Sequence, residues 1–313
     1  MNEGKEFRRL ARRVKFRRWV LTGMIAMIVV MVAIPVTYKL TQLRAAKVSN
    51  EMIREMETSD HLMSPNIAVS DQHLGNTSAF GGQVISHRYK EVEGYRVPWS
   101  SVVRDYSWLT GSSSTLSNAT DQNKSSLYDR ETEQKIPMFF NQQASRPNLK
   151  ATHDLAKIGQ SKGAVAEVAL TFKQPLTYRQ VQAKLPAGLH AQWYWIGVSD
   201  DADPTSMDNN LLGLSIKDIG LSHRPSEGLT QNDYRSFYQG LKYAATHAPD
   251  IAFDDFRPYK YGGQYAKRYP IASQAKFAGV IVTGNSEAFR PLDKANWIYA
   301  SSAGFFKQRS VIK

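Results

Sequence analysis

Hydrophobic positions fall into three rhythms along the chain. From Trp19 to Tyr38 they are nearly continuous: WVLTGMIAMIVVMVAIPVTY holds no Asp, Glu, Lys or Arg in 20 residues. At about 1.5 Å of helical rise each, such a stretch covers roughly the 30 Å of a bilayer's hydrocarbon core, which predicts a membrane span. Trp19 and Tyr38 stand at its ends, where amphipathic rings prefer the headgroup region. Before it, EFRRLARRVKFRR places Phe7, Leu10 and Val14 at helical spacing among cations, a basic amphipathic lead-in. After it, KLTQLRAAKVSNEMIREMETSD keeps an incomplete helical stripe at Leu40, Leu43, Met52, Ile53 and Met56, with Ser59 or Asp60 at its end.

Beyond Ser64 the period changes. NIAVS, GGQVISHRYKEV and YRVPWSSVV read as short strands between Pro and Gly, a β-rich module. Residues 110–135, TGSSSTLSNATDQNKSSLYDRETEQK, are too polar to offset chain entropy by burial and read as a linker. AVAEVALTF (164–172) then predicts a strand, with Val165, Val168 and Leu170 set among small or polar positions, and LTYRQVQAKLP a helix beginning at Thr177. HAQWYWIGV and LLGLSIKDIG read as strands, and TQNDYRSFYQGLKYAATHAPD as a helix with Tyr234, Phe237, Tyr238 and Leu241 near one face. FAGVIVTG, SEAFRPLD and ANWIYAS close the chain as strand, short helix and strand. The alternation predicts an α+β fold with helices on one face of a sheet, similar to a ferredoxin-like arrangement. The expected organisation is a tail (1–18), a transmembrane helix (19–38), a helical stalk (39–60), a membrane-proximal β-rich module with its linker (61–146) and an α+β domain (147–313).

Charge orients this plan. The net charge is +12, and residues 1–18 hold eight cations (Lys5, Arg8, Arg9, Arg12, Arg13, Lys15, Arg17, Arg18) against Glu3 and Glu6, so half the excess precedes the span. Cations are retained inside during insertion, which places the amino terminus in the cytoplasm and the bulk of the chain outside the cell membrane. Attraction to anionic headgroups, about 1 kcal/mol per cation, marks Arg8, Arg9, Arg12, Arg13, Arg17 and Arg18 as contacts for the lipid bilayer or a partner at its surface. No nucleic-acid site is expected, because the tail builds no basic groove interleaved with stacking aromatics. A cleaved signal would have a shorter apolar run, about 7–15 residues, ending at small residues. This run leaves through Ile34, Pro35, Val36, Thr37 and Tyr38, so an uncleaved anchor is expected. The chain has no Cys, which excludes a disulfide scaffold, a thiol nucleophile and a thiolate metal site.

Enzymatic chemistry finds little support. The histidines (His61, His73, His87, His153, His190, His223 and His247) are scattered, and no G-x-S-x-G elbow exists beside Ser86 or elsewhere. The acidic loop with Asp200, Asp201, Asp203 and Asp208 lacks the Gly and terminal Glu of a calcium loop, and Asp250, Asp254 and Asp255 read as caps and a solvated edge. No catalytic residue, metal or cofactor is expected. Trp193, Tyr194 and Trp195 alternate across a strand; core packing is the default, and an exposed Tyr194 beside Tyr234 or Tyr238 would make an aromatic contact platform.

The run VAEVALTFKQPLTYRQVQAKLP with WYWIGV, and the closing FAGVIVTGNSEAFRPLDKANWIYASSAG, resemble the C-terminal domain of the Gram-positive sigma-factor-regulator family of membrane anti-sigma factors. The basic lead, the span and SPNIAVSDQHLGNTSAFGGQVISHRYKEVEGYRVPW resemble its N-terminal domain. The resemblance implies a single-pass regulator that couples envelope state to an extracytoplasmic-function sigma factor. Residues 1–18 hold no His or Cys for a zinc-type anti-sigma domain, so the sigma factor is expected to be reached directly by the tail or through a second small membrane protein. The competing expectation is a membrane-tethered extracellular binding module for cell-wall polymer or an envelope protein.

Overall fold

The computed structural model describes residues 3–109, 111–115, 120–123, 125–218, 220–221 and 228–309, which leaves His223 and parts of the predicted linker outside it. Helix α1 (Glu3–Met63) is 61 residues long and runs unbroken through Pro35; at 1.5 Å per residue it extends roughly 90 Å. Its apolar stretch is long enough to cross a membrane and is wholly unburied. Every large apolar side chain from Phe7 to Leu43 is exposed. From Ala45 outward the helix changes: Ala45, Ser49, Met52, Met56 and Met63 are buried, at steps of four, three, four and seven. That spacing draws a stripe down one side of the helix. Leu40 and Leu43, expected within the stripe, are exposed because the domain reaches α1 only beyond them.

The stripe lies against an antiparallel sheet of order β1-β2-β3-β4, made of β1 (Ala68–Gly75), β2 (Gly81–Val92), β3 (Tyr95–Ser107) and β4 (Gly111–Thr115). Ala45, Met52 and Met56 pack on Val84 and Tyr106. The β2–β3 hairpin closes through Glu93 and Gly94, both at positive φ (49° and 85°). This is the two-residue turn whose twist matches the flanking strands. A small sheet follows, β5 (Thr120–Gln122), β6 (Leu127–Asp129) and β7 (Lys135–Ile136), in that order. The predicted linker is therefore partly built into sheets. Backbone ladders from β4 to β3 and from β6 to β7 supply this order.

The remaining elements are α2 (Leu155–Gln160), β8 (Ala164–Thr177), α3 (Tyr178–Lys184), β9 (Leu189–Trp195), β10 (Gly213–Ser215), α4 (Gln231–His247), α5 (Pro258–Arg268), β11 (Lys276–Asn285) and β12 (Ile298–Gln308). Thr177 with Gln180 and Thr230 with Asp233 form capping boxes that start α3 and α4. The sheet is antiparallel with order β10-β9-β11-β8-β12. Stripped of β10 and the inserted α4 and α5, the order β9-β11-β8-β12 is the split-βαβ pattern of the ferredoxin-like arrangement. Helices do not cover one face alone against solvent. Tyr194, Val280, Val282 and Phe277 pack under α3, α4 and α5, while Trp193, Trp195, Ala169 and Ile281 meet Phe139, Met207, Leu211 and Phe256 on the other side. Both faces being covered, Ala164–Phe172 is buried at every position.

Candidate functional site

The end of α1, the β2–β3 hairpin and the five-stranded sheet converge on one carboxylate. Glu167 sits on β8 with its side chain fully buried, facing away from the α3–α5 layer. Lys90, from the inward row Val84, Ser86, Arg88, Lys90 and Val92 of β2, is also buried. Its ammonium lies 3.2 and 3.1 Å from the two Glu167 oxygens and 4.1 Å from the centre of the Trp99 ring. Asn66, three residues past α1, donates from Nδ2 to Glu167 Oε1 at 2.7 Å. The Phe305 amide of β12 donates to Oε2 at 3.3 Å. One carboxylate thus ties together four segments, including the one that leads directly into the long helix.

The electrostatics follow from burial. Desolvation pulls the Lys90 ammonium below its ordinary value, opposed by the charge of Glu167 beside it. Arg88, next along the same row, is likewise lowered by burial, with the charges of Asp60 and Asp129 acting against it. Its Nε donates to the Ser100 carbonyl at 2.8 Å, and the Ser100 hydroxyl donates to Asp129. On α1, burial raises the Asp60 carboxyl above its ordinary value, against the pull of Arg88 and Arg104. A buried ion pair adds little net stability, but removing one partner costs about 3–5 kcal/mol because the other charge is stranded. The junction is therefore intolerant of partial opening.

Secondary contacts frame it. Glu93, at the hairpin tip, accepts from Thr283 Oγ1 on β11 at 2.7 Å and lies 2.9 Å from His190 Nδ1. Lys217 pairs with Glu91 at 3.1 Å and His61 on α1 with Asp218 at 3.2 Å. Leu62 of α1 reaches α4 at Gly240, where an added Cβ would lie 3.2 Å from Leu62 Cδ2. Glycine permits this approach of the two helices.

The residues singled out from sequence divide. Arg8, Arg9, Arg12, Arg13, Arg17 and Arg18 all project from α1 into the open; at about 100° per residue the first four share a sector of about 140°, with Phe7, Leu10 and Val14 opposite. Tyr194 and Tyr234 offer no exposed platform: both are buried in the core under α3 to α5, where large rings fill the space between helices and sheet. Burial raises both phenols above their ordinary value, and each hydroxyl is hydrogen-bonded, Tyr194 to Gln182 and Tyr234 to the Tyr269 carbonyl. Tyr238 is half-buried, 6.2 Å from the Tyr234 ring, under the Lys242 ammonium. Ser86 and His87 point to opposite faces of β2, so they form no catalytic pair. The groove lined by Ser199, Asp200, Asp254, Asp255 and Lys260 holds no histidine. In the acidic loop Asp203 is taken up locally, accepting from Thr205 and from the Asn148 amide.

Sequence reasoning missed Asn66, Lys90 and Glu167. The available signal was a lone carboxylate inside the otherwise apolar AVAEVALTF, together with cations in the inward register of β2. No curated protein and no solved structure matches the chain. The description Sigma factor regulator N-terminal matches residues 8–97, spanning most of α1, β1, β2 and the first residues of β3. Sigma factor regulator C-terminal matches residues 155–304, the five-stranded sheet and its helices. The Lys90–Glu167 pair joins these two matched regions, and the chain belongs to the sigma factor regulator family, a regulatory family of the anti-sigma type.

Proposed function

We propose that this regulator is a single-pass membrane protein with a cytoplasmic amino terminus. It couples the state of its outer domain to an extracytoplasmic-function sigma factor, contacted by the cationic turns of α1 or through a small membrane partner. The observation that carries this reading is the uninterrupted helix from Glu3 to Met63. The same rod bears the exposed arginines, the apolar stretch and the side chains buried at the junction. A helix transmits displacement or rotation along its length while it stays a continuous rod, as α1 does through Pro35 although that residue donates no ladder bond, so a signal changing the junction would reach the basic turns. No catalytic step is invoked; the work is done by contact and conformation.

The test is the full-length chain in its membrane, with Leu43→Pro placed between the apolar stretch and the junction. Leu43 is exposed and lies beyond the apolar stretch that holds Pro35, so a proline there kinks the helix where water competes for the freed carbonyl, at about 3 kcal/mol locally, without touching the core. Capture from native membranes should recover a sigma factor, directly or with a small membrane protein. A reporter for that sigma factor should respond to Lys90→Met in the parent chain and lose the response when Leu43→Pro is added. Capture of cell-wall polymer with no sigma factor, and a reporter indifferent to both substitutions, would make the chain a tethered binding module instead.

A further inference from the structure

Two histidines that are distant in sequence meet on the solvent face of the first sheet. Asp71 and His73 stand on β1 and His87 on β2, all exposed, with one ligand atom from each within 4.8 Å of the others. A bulge creates the meeting. The register shifts between Val69, opposite Arg88, and Asp71, opposite His87, so Ser70 is the extra residue. Opposed residues share a face, and His73, two places on from Asp71, shares it too. Without the extra residue Asp71 would pair with Ser86 and turn toward α1. Bulges that re-aim a side chain in this way are frequent beside functional sites.

The groups are also oriented. The two imidazole rings lie 5.4 Å apart, and His73 Nδ1 is 3.0 Å from Asp71 Oδ2, a bond that holds the Asp71 carboxyl below its ordinary value. Ser70 Oγ donates to Asp71 Oδ1 at 3.2 Å. His87 Nδ1 lies 2.9 Å from Ser101 Oγ on β3. With Nδ1–H donating to that hydroxyl, Nε2 keeps its lone pair, and an oriented ring of this kind is the usual state of a metal-ligating histidine.

We propose that Asp71, His73 and His87 bind a borderline divalent transition-metal ion of the zinc(II) type. Two imidazoles and a carboxylate form an N2O set suited to zinc and unsuited to calcium or magnesium, which take oxygen ligands. Tetrahedral zinc with bonds near 2.1 Å spaces its ligand atoms about 3.4 Å apart. The ligand atoms stand within 4.8 Å of one another, so the exposed side chains would draw in to reach that spacing. Three protein ligands leave a position for water, and the site opens to solvent on the face opposite α1. An ion there clips the edge strand β1 to β2, whose other face holds Val84 against Ala45, Met52 and Met56.

The experiment uses the untagged full-length chain in lipid nanodiscs, titrated with zinc chloride by calorimetry. One equivalent should bind, and His73→Ala/His87→Ala should weaken binding by about tenfold or more. Cobalt(II) should give the intense visible bands of a tetrahedral N/O site in the parent and not in the double variant. Equal melting of the two proteins in chelator shows that the fold is kept; should it not be, Asp71→Asn is measured in the same way. Binding of equal stoichiometry and affinity in the variants, or neither heat nor cobalt bands in the parent, overturns the proposal.

Discussion

The two halves of α1 solve the same burial problem against different surroundings. From Phe7 to Leu43 the protein covers none of the helix's large apolar side chains, although this half holds its longest apolar run. From Ala45 to Met63 the helix is less apolar yet better buried, because one stripe is clasped by β2, β3 and α4. In the first half only lipid can shield apolar surface, and since lipid approaches from all sides no single face is needed. In the second a domain covers one side, and Lys47, Glu51 and Glu55 are left on the other. The contrast teaches that the segment from Ala45 to Met63 is less a stalk than a structural element of the domain.

The largest break in this comparison should come from Lys90→Met. Glu167 would remain buried without its cation, costing about 3–5 kcal/mol in thermal or chemical unfolding of the domain. Lys90→Met/Glu167→Met should recover much of that loss, because a buried pair and an apolar pair of similar volume are often close in stability. Met56→Ala should cost about 2–4 kcal/mol by opening a cavity between α1 and the hairpin.

Asp60→Asn sharpens the electrostatic side. A carboxyl raised in the folded state binds its proton more readily there than when unfolded. Its contribution is therefore fully present below the ordinary carboxyl value near 3.8 and is lost as pH rises through the raised value. The Asn variant should flatten that part of the stability-versus-pH curve and melt higher than the parent at neutral pH. Smallest is Met27→Ala in the first half of α1: Met27 is 61% exposed and touches no part of the domain, so unfolding should shift by less than about 0.5 kcal/mol.

Much of the architecture was legible because it is written in periods. The uncharged run from Trp19 to Tyr38, the capped helix beginning at Thr177 and the strand–helix–strand close are local patterns, and each lies in the expected element. Strands β4 and β6 were not, since they are held by backbone pairing with neighbouring strands and carry no apolar alternation to announce it. Tyr194 could be assigned to a face but not to a depth: alternation gives the side of a strand, while burial depends on whether a second layer covers it. The junction was hardest to see. Lys90 and Glu167 are 77 residues apart, and neither the lone carboxylate of AVAEVALTF nor the cation on β2 names its partner.

The most direct measurement is hydrogen–deuterium exchange of the full-length chain in nanodiscs, parent against Lys90→Met. If the junction holds the second half of α1, amides of Met52–Met63 and of β2 and β3 should exchange faster together in the variant, while those of Leu21–Val36 stay protected by lipid. Faster exchange confined to β8, with Met52–Met63 unchanged, would contradict the account, because the helix would then be held independently of the carboxylate.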